Sequence, residues 1–148
     1  MGKPLKTYDL MSVFLLVGGY RIGGFGEEGG IDVEWSSDRV ETSVGADGQA
    51  TASRSNDASA TVTITVKETS RSYRDLATLM AAQQSQEAIL PLQFRLKDDR
   101  NGDKINDDYA VFINRPGVSK QKKAGEREFK LFLPNAGESA AFGASIAL

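Results

Sequence analysis

The chain has 148 residues, no cysteine, no histidine and a net charge of −2 from 18 basic and 20 acidic side chains. That length suits one domain, able to bury roughly 70% of the surface its unfolded form exposes. Without cysteine there is no disulfide framework, thiol nucleophile or thiolate metal site, and without histidine no ordinary general base and no Ser-His or Cys-His pair, so the expectation is a non-enzyme without a cofactor.

Charge is unevenly placed: residues 1–70 carry 6 basic and 10 acidic side chains, residues 71–148 carry 12 and 10. Halves of opposite sign suit complementary contacts between copies. Near the start, Lys3 and Lys6 precede an apolar run over residues 10–17. Asp9 interrupts it and no small-x-small cleavage site follows, so a strand is expected there, not a secretory signal. The run is also too short to span a membrane. Met1-Gly2 opens as a myristoylation signal does, but Lys6 stands where that signal needs Ser or Thr.

Residues 12–17 end at Gly18-Gly19 and residues 20–22 resume extended, which predicts a tight hairpin. The glycines of this stretch read as turn residues: no Lys-Ser/Thr follows them and no helix opens on which a phosphate would sit. After the loop at 27–30, Ile31, Val33 and Trp35 alternate with Asp32, Glu34 and Ser36, giving a strand with one apolar and one acidic face. Six acidic and two basic residues lie between Arg21 and Glu41. That is the composition of a solvated surface or, in a ring, of a wall that repels polyanions.

The stretch that organises the chain is 44–67. Val62, Ile64 and Val66 alternate with Thr61, Thr63, Thr65 and Lys67, the period of a half-buried strand. Residues 49–54 read as its partner, with turn chemistry at Gly45-Ala46-Asp47-Gly48 before it and Ser55-Asn56-Asp57 after it. From Thr42 to Thr65 there are nine Ser or Thr and three charges, and the partner strand offers only Ala50 and Ala52 where a core strand offers Val or Leu. Such a ribbon is too polar for a core and too uncharged for an edge protected against other chains. It is expected to meet other copies of the protein.

Residues 70–86 form the helix. Ser72-x-x-Asp75 reads as a capping-box start, and Tyr73, Leu76, Ala77 and Met80 recur at helical spacing, a stripe that docks on a sheet. Arg74, Thr78, Gln83 and Gln86 form the polar face, turned to water or a neighbour. Leu92, Phe94 and Leu96 mark the next strand over 90–97, with Pro91 at its first or edge position. In the loop 98–108, Asp99, Asn101 and Asp103 sit at calcium-ligand spacing, but Lys104 stands where the sharp turn needs Gly and Ala110 where a bidentate Glu belongs. A hairpin loop is the better reading. Residues 109–113 are a wholly apolar strand, expected to be covered on both faces. Residues 115–130 carry six basic and two acidic side chains, among them Arg115, Lys120, Lys122 and Lys123, followed only by the lone aromatic Phe129, so a solvated loop is favoured over a nucleic-acid site. Residues 129–133 make the last strand. The tail 135–148, rich in Ala, Ser and Gly, is expected to order only against another subunit.

Several short motifs occur in an order that resembles a family of bacteriophage tail tube proteins, found chiefly in contractile-tailed phages. They are Lys6-Thr7-Tyr8-Asp9, Val17-Gly18-Gly19 with Ile22 and Phe25, Val44-Gly45-Ala46-Asp47-Gly48, Ser55-Asn56-Asp57 leading into 60–64, and Ala124-Gly125-Glu126-Arg127-Glu128. The loop at 98–108 and the Ala/Ser tail depart from the family pattern. The resemblance implies one domain over 1–148, mainly β with one flanking helix, a small barrel or sandwich similar to the tube protein of type VI secretion, with a long hairpin at about 40–67. It further implies a structural virion protein that forms stacked hexameric rings, a tail tube conducting DNA into the host. Assembly would occur in the host cytoplasm, with tail sheath, baseplate and tail terminator as partners and tape measure protein and DNA in the lumen. The family's hairpin corresponds to Val44, Gly45, Ala46, Asp47, Gly48, Ser53, Arg54, Ser55, Asn56, Asp57 and Ser59, expected at subunit contacts. Asp32, Glu34 and Asp47 are the candidates for an acidic lumen wall, since a basic one would hold phosphates by counterion release. Two other classes stand beside this: a β-sandwich binding module, calcium-dependent through Asp99, Asn101 and Asp103, and a carboxylate hydrolase for which no acid pair can be named.

Overall fold

The alternation over residues 60–67 becomes the strand on which one half of the fold is built. The computed structural model describes residues 13–23, 30–85, 88–100, 102–118, 120 and 125–141. The expectations for residues 1–12, the glycine-rich loop from 24, Gln86, Asn101, Lys122, Lys123 and the tail beyond 141 fall outside these. Among the described residues the order is β1 (Val13–Val17), β2 (Tyr20–Arg21), β3 (Ile31–Trp35), β4 (Val40–Val44), β5 (Ala50–Arg54), β6 (Ala60–Lys67), α1 (Arg71–Gln84), β7 (Leu92–Asp98), β8 (Lys104–Phe112), β9 (Glu126–Leu133) and α2 (Ala136–Ser139). Mainly β is therefore right, but there are two helices among the described residues and not one.

Seven strands pair antiparallel in the order β2-β1-β7-β8-β9-β6-β3, and β4-β5 stand apart as a two-stranded ribbon. The order has two ends, so within one chain the sheet is open and does not close as a barrel. Residues 49–54 do not pair with β6. Instead β5 pairs with β4, Val40 opposite Arg54 and Val44 opposite Ala50, while β6 sits between β9 and β3. Side-chain volume explains the choice. The inward Val62 and Ile64 of β6 lie opposite Leu131 and Phe129 of β9, a layer that Ala50 and Ala52 cannot supply.

The inward residues of β1, β6, β7, β8 and β9 merge into one core cluster with Leu76 and Leu79 of α1. Phe94, Phe129, Leu15 and Ile64 are among its fully buried members, and each such side chain contributes about 1.5–3 kcal/mol. The cap of α1 lies two residues before the expected Ser72: Ser70 is the N-cap, its hydroxyl accepting from the Tyr73 N–H, while Ser72 is buried and its Oγ accepts from the Gly23 N–H at 2.7 Å. The β1–β2 hairpin forms as read. Gly18, at φ +56°, packs so close to α1 that a Cβ there would meet Leu79 Cδ2 at 2.8 Å.

Three further expectations are corrected. Gln83 is buried, not solvent-facing: its Nε2 donates to the Leu90 and Ala110 carbonyls, and its Oε1 accepts from the Phe112 N–H. It occupies the gap where β8 stops pairing with β7 and takes up β9, Leu92 opposite Ala110 being the last β7 pair. The described part of the tail, 135–141, packs on its own chain: Ala136 is buried, Gly137 donates to Ala58 O, and Ala141 bridges to Lys104. Finally, Arg127 in the basic stretch is not solvated. It is buried over the Tyr73 ring, donates to Gly117 O and pairs with Glu68 at 3.0 Å.

Candidate functional site

Every residue of β4 and β5 is exposed, so the ribbon stands off the core. Strand pairing sorts its side chains onto two faces. Val40, Thr42 and Val44 lie opposite Arg54, Ala52 and Ala50, and Glu41 and Ser43 lie opposite Ser53 and Thr51. One face is therefore apolar apart from Thr42 and Arg54, and the other is polar, closed by a 2.8 Å hydrogen bond between the Ser43 and Thr51 hydroxyls. Val44 is 71% exposed, far more than a valine at the margin of a core.

At the tip, Gly45 donates to Gln49 O and Gly48 to Gly45 O, while Asp47 Oδ1 accepts from the Gln49 N–H. Gly48 has φ +82°, the left-handed region that a glycine enters without strain. At the base, Asp57 acts as a clasp. Its Oδ1 accepts from the Ser59 amide at 3.0 Å and the Ser59 hydroxyl at 2.6 Å, and its Oδ2 accepts from Ser37 Oγ at 2.8 Å. Ser59 Oγ also meets Ser36 Oγ, and Ser55 N–H donates to Arg39 O, so both legs of the ribbon are tied where they leave the sheet. The Ser59 hydroxyl and amide, then the Ser37 hydroxyl, hold the Asp57 carboxyl below the usual carboxylate range.

The expected interface residues thus gather at two ends of one ribbon. Val44, Gly45, Ala46, Asp47 and Gly48 make the tip, and Ser53, Arg54, Ser55, Asn56, Asp57 and Ser59 run down to the base. What the sequence reading missed is the face between them: Val40, Thr42, Ala50 and Ala52. The alternation Val40-Thr42-Val44 carried that signal. Asp32 and Glu34 are exposed side by side on the edge strand β3, opposite Thr63 and Thr61. Asp47 is not brought to them; it sits at the ribbon tip.

The stretch 98–108 is a hairpin loop shorter than expected, because β8 begins at Lys104. Asp98 N–H donates to Asp103 O, Gly102 N–H to Asp98 O, and Asp98 Oδ1 accepts from Arg100 N–H, so the carboxylate is spent on shaping the turn. Residues 109–113 are not covered on both faces. Ala110 and Phe112 are buried, but Tyr109 and Ile113 are 56% and 54% exposed. Beside Tyr109 lies a cleft of about 270 Å³, walled by Glu138 and by the ion pair of Arg95 with Asp108.

Residues 12–135 match the family model described as Bacteriophage PhiTE tail tube protein. No curated protein matches the chain by sequence. Among solved structures, the sheath/tube terminator of an extracellular contractile injection system, PVC, in its extended state aligns over 89% of this chain and 94% of its own, at 13% identity and a TM-score of 0.50. The tube-terminating cap of the anti-feeding prophage aligns over 90% of this chain and 89% of its own, at 11% identity and a TM-score of 0.49. At 13% identity, the first likeness speaks for the fold.

Proposed function

This chain belongs to the bacteriophage PhiTE tail tube protein family, and on that premise we propose that its copies assemble into hexameric rings stacked as the tube through which DNA leaves the virion. It is a structural tail protein. The observation that carries the finer reading is the ribbon: every residue exposed, one face apolar, and no charge on that face except Arg54. Free strands of this kind recruit other chains unless charge, proline or a bulge blunts them. A second copy is the natural cover.

In this reading the exposed Asp32 and Glu34 of β3, beside Thr61 and Thr63, line the lumen, where like charge keeps phosphates from adhering. Asp47 belongs instead to the contact at the ribbon tip. Tail sheath, baseplate and terminator subunits meet the outside and the ends of the tube, and tape measure protein and then DNA occupy its bore. Assembly takes place in the host cytoplasm and the finished subunit resides in the virion tail. Among the described residues no helix is long and apolar enough to cross a membrane. Negative-stain microscopy of the purified protein tests the proposal: six-fold rings or tubes support it, and a protein that stays monomeric across concentration and salt refutes it.

A further inference from the structure

The sheet face that carries Asp32 and Glu34 is acidic along one strand only. Strand pairing leads from those carboxylates to an apolar strip on the same face: Glu34 lies opposite Thr61, Thr61 opposite Phe132, and Phe132 opposite Val111. One row along, Asp32 lies opposite Thr63 and Thr63 opposite Lys130, whose carbonyl accepts from the Ile113 N–H. Paired residues share a face, so Val111, Ile113 and Phe132 look into the same space as the two acids. Tyr109 joins them, because the irregularity between β7 and β8 leaves Asp107 and Ala110 buried and turns Asp108 and Tyr109 outward. Tyr109 and Ile113 are more than half exposed. A wall that only repels phosphates has no use for apolar side chains facing solvent, and such a strip marks a contact.

Charge decides what covers it. The cations nearest the strip are already paired, Arg95 with Asp108 and Lys130 with Glu128 at 3.8 Å, and Lys97 further along β7 meets Asp99 at 3.3 Å. Lys104 stands at the far end of β8, about 16 Å from Tyr109. Asp32, Glu34 and Glu138 have no ion pair among the described residues. Glu138 walls the cleft beside Tyr109, Glu34 is level with Val111, and Asp32 is level with Ile113. The uncompensated charge around the strip is therefore acidic, and its cover is apolar with a basic margin.

Dimensions suit a helix. Tyr109 to Ile113 spans about 13 Å along the strand, and β3 lies three strand spacings from β8, about 14 Å. Apolar side chains at i, i+4 and i+8 of an α-helix cover about 12 Å, and a helix about 10–12 Å across, laid on β8 and β9, brings a Lys or Arg of its flank over β3.

We propose that this face is a docking surface for a basic amphipathic helix of another protein, its apolar stripe covering Tyr109, Val111, Ile113 and Phe132 and its basic flank meeting Asp32 and Glu34. This rests on the lumen reading above and adds the kind of cargo the wall holds: a polypeptide, whereas DNA is turned away by the same carboxylates.

The probes are a fluorescent synthetic helix with leucines at i, i+4 and i+8 flanked by lysines, the same peptide with glutamates in place of the lysines, and a fluorescent DNA duplex. Fluorescence anisotropy with the full chain is expected to show the lysine peptide bound at least ten-fold more tightly than either of the others. Tyr109→Ser with Ile113→Ser, which alters exposed side chains and is expected to keep the unfolding midpoint, should weaken the lysine peptide at least ten-fold. Asp32→Lys with Glu34→Lys should reverse the preference between the two peptides. Equal binding of the peptides, tighter binding of the duplex, or unchanged affinity in the Tyr109 and Ile113 variant overturns the docking surface. Cryo-electron microscopy of tubes formed with the lysine peptide separates this from the lumen reading. Peptide density along the bore supports both. Tubes without peptide overturn the docking surface and leave the tube intact, whereas peptide on the outside of the tube, lost in the Tyr109 and Ile113 variant, keeps the docking surface and overturns the lumen reading.

Discussion

Gln83 Oε1 accepts a hydrogen bond from the Phe112 N–H at 2.9 Å, so a helix side chain stands in for a strand on the side of β8 that β7 no longer reaches, while β9 pairs with the other side. The same amide donates to Leu90 O at 2.7 Å and to Ala110 O at 3.4 Å. One buried residue thereby closes the seam between the two halves of the sheet. Gln83→Leu leaves a buried N–H and two carbonyls short of partners. It should lower stability by about 1–3 kcal/mol, read from denaturant unfolding. Gln83→Glu keeps the acceptor but not the donor and should also destabilise.

Gly48 sets the ribbon tip. Its φ is +82° and a Cβ there would meet no other atom within 4 Å, so any substitution is opposed by the backbone alone. Gly48→Val should cost about 1 kcal/mol or more. Asn, which tolerates the left-handed region, should cost less. Polymer yield should fall more steeply than the unfolding midpoint, because the tip shapes a contact and not the core. Equal loss of both would argue that the tip serves folding only.

The Asp57 clasp predicts an acid dependence. Its carboxyl is held below the ordinary range by Ser59 and Ser37, so its stabilising effect is complete at neutral pH and is lost as pH falls through the lowered folded value. Chemical shifts of the Ser59 amide and the Asp57 carboxyl should titrate together, below the pH of a free aspartate. Asp57→Asn should abolish that titration and loosen the ribbon base at neutral pH, seen as faster hydrogen exchange at Ser59 while the core amides of β6 are unchanged.

Much of the body was legible from side-chain period. Val62, Ile64 and Val66 announced β6, and Leu76 with Tyr73, Ala77 and Met80 announced the docked face of α1. The partner of β6 was not legible locally, because turn residues flank 49–54 on both sides and permit a hairpin in either direction. The large side chains of β9, more than 60 residues on, decide it. From the helix pattern Gln83 reads as a surface residue, because its burial depends on a ladder gap beside Phe112, a tertiary fact with no trace in that pattern. Residues 109–113 read as doubly covered because an apolar run looks the same in sequence whether or not its second face is buried; in the fold Tyr109 and Ile113 are exposed on that face. At the candidate interface, the polar tip and base were visible as turn chemistry, whereas the apolar middle needed the β4–β5 register to show Val40, Thr42, Ala50 and Ala52 on one side.

In the proposed assembly the ribbon builds the tube. Val44 is exposed and outside the core, so Val44→Asp should change stability by no more than about 0.5 kcal/mol. Sedimentation velocity of wild type and Val44→Asp side by side, with cryo-electron microscopy of the wild-type assemblies, tests the role of the ribbon. Six-fold rings and tubes are expected for the wild type, and folded, slowly sedimenting subunits for the variant. Tubes of unchanged length and yield from Val44→Asp would contradict that role.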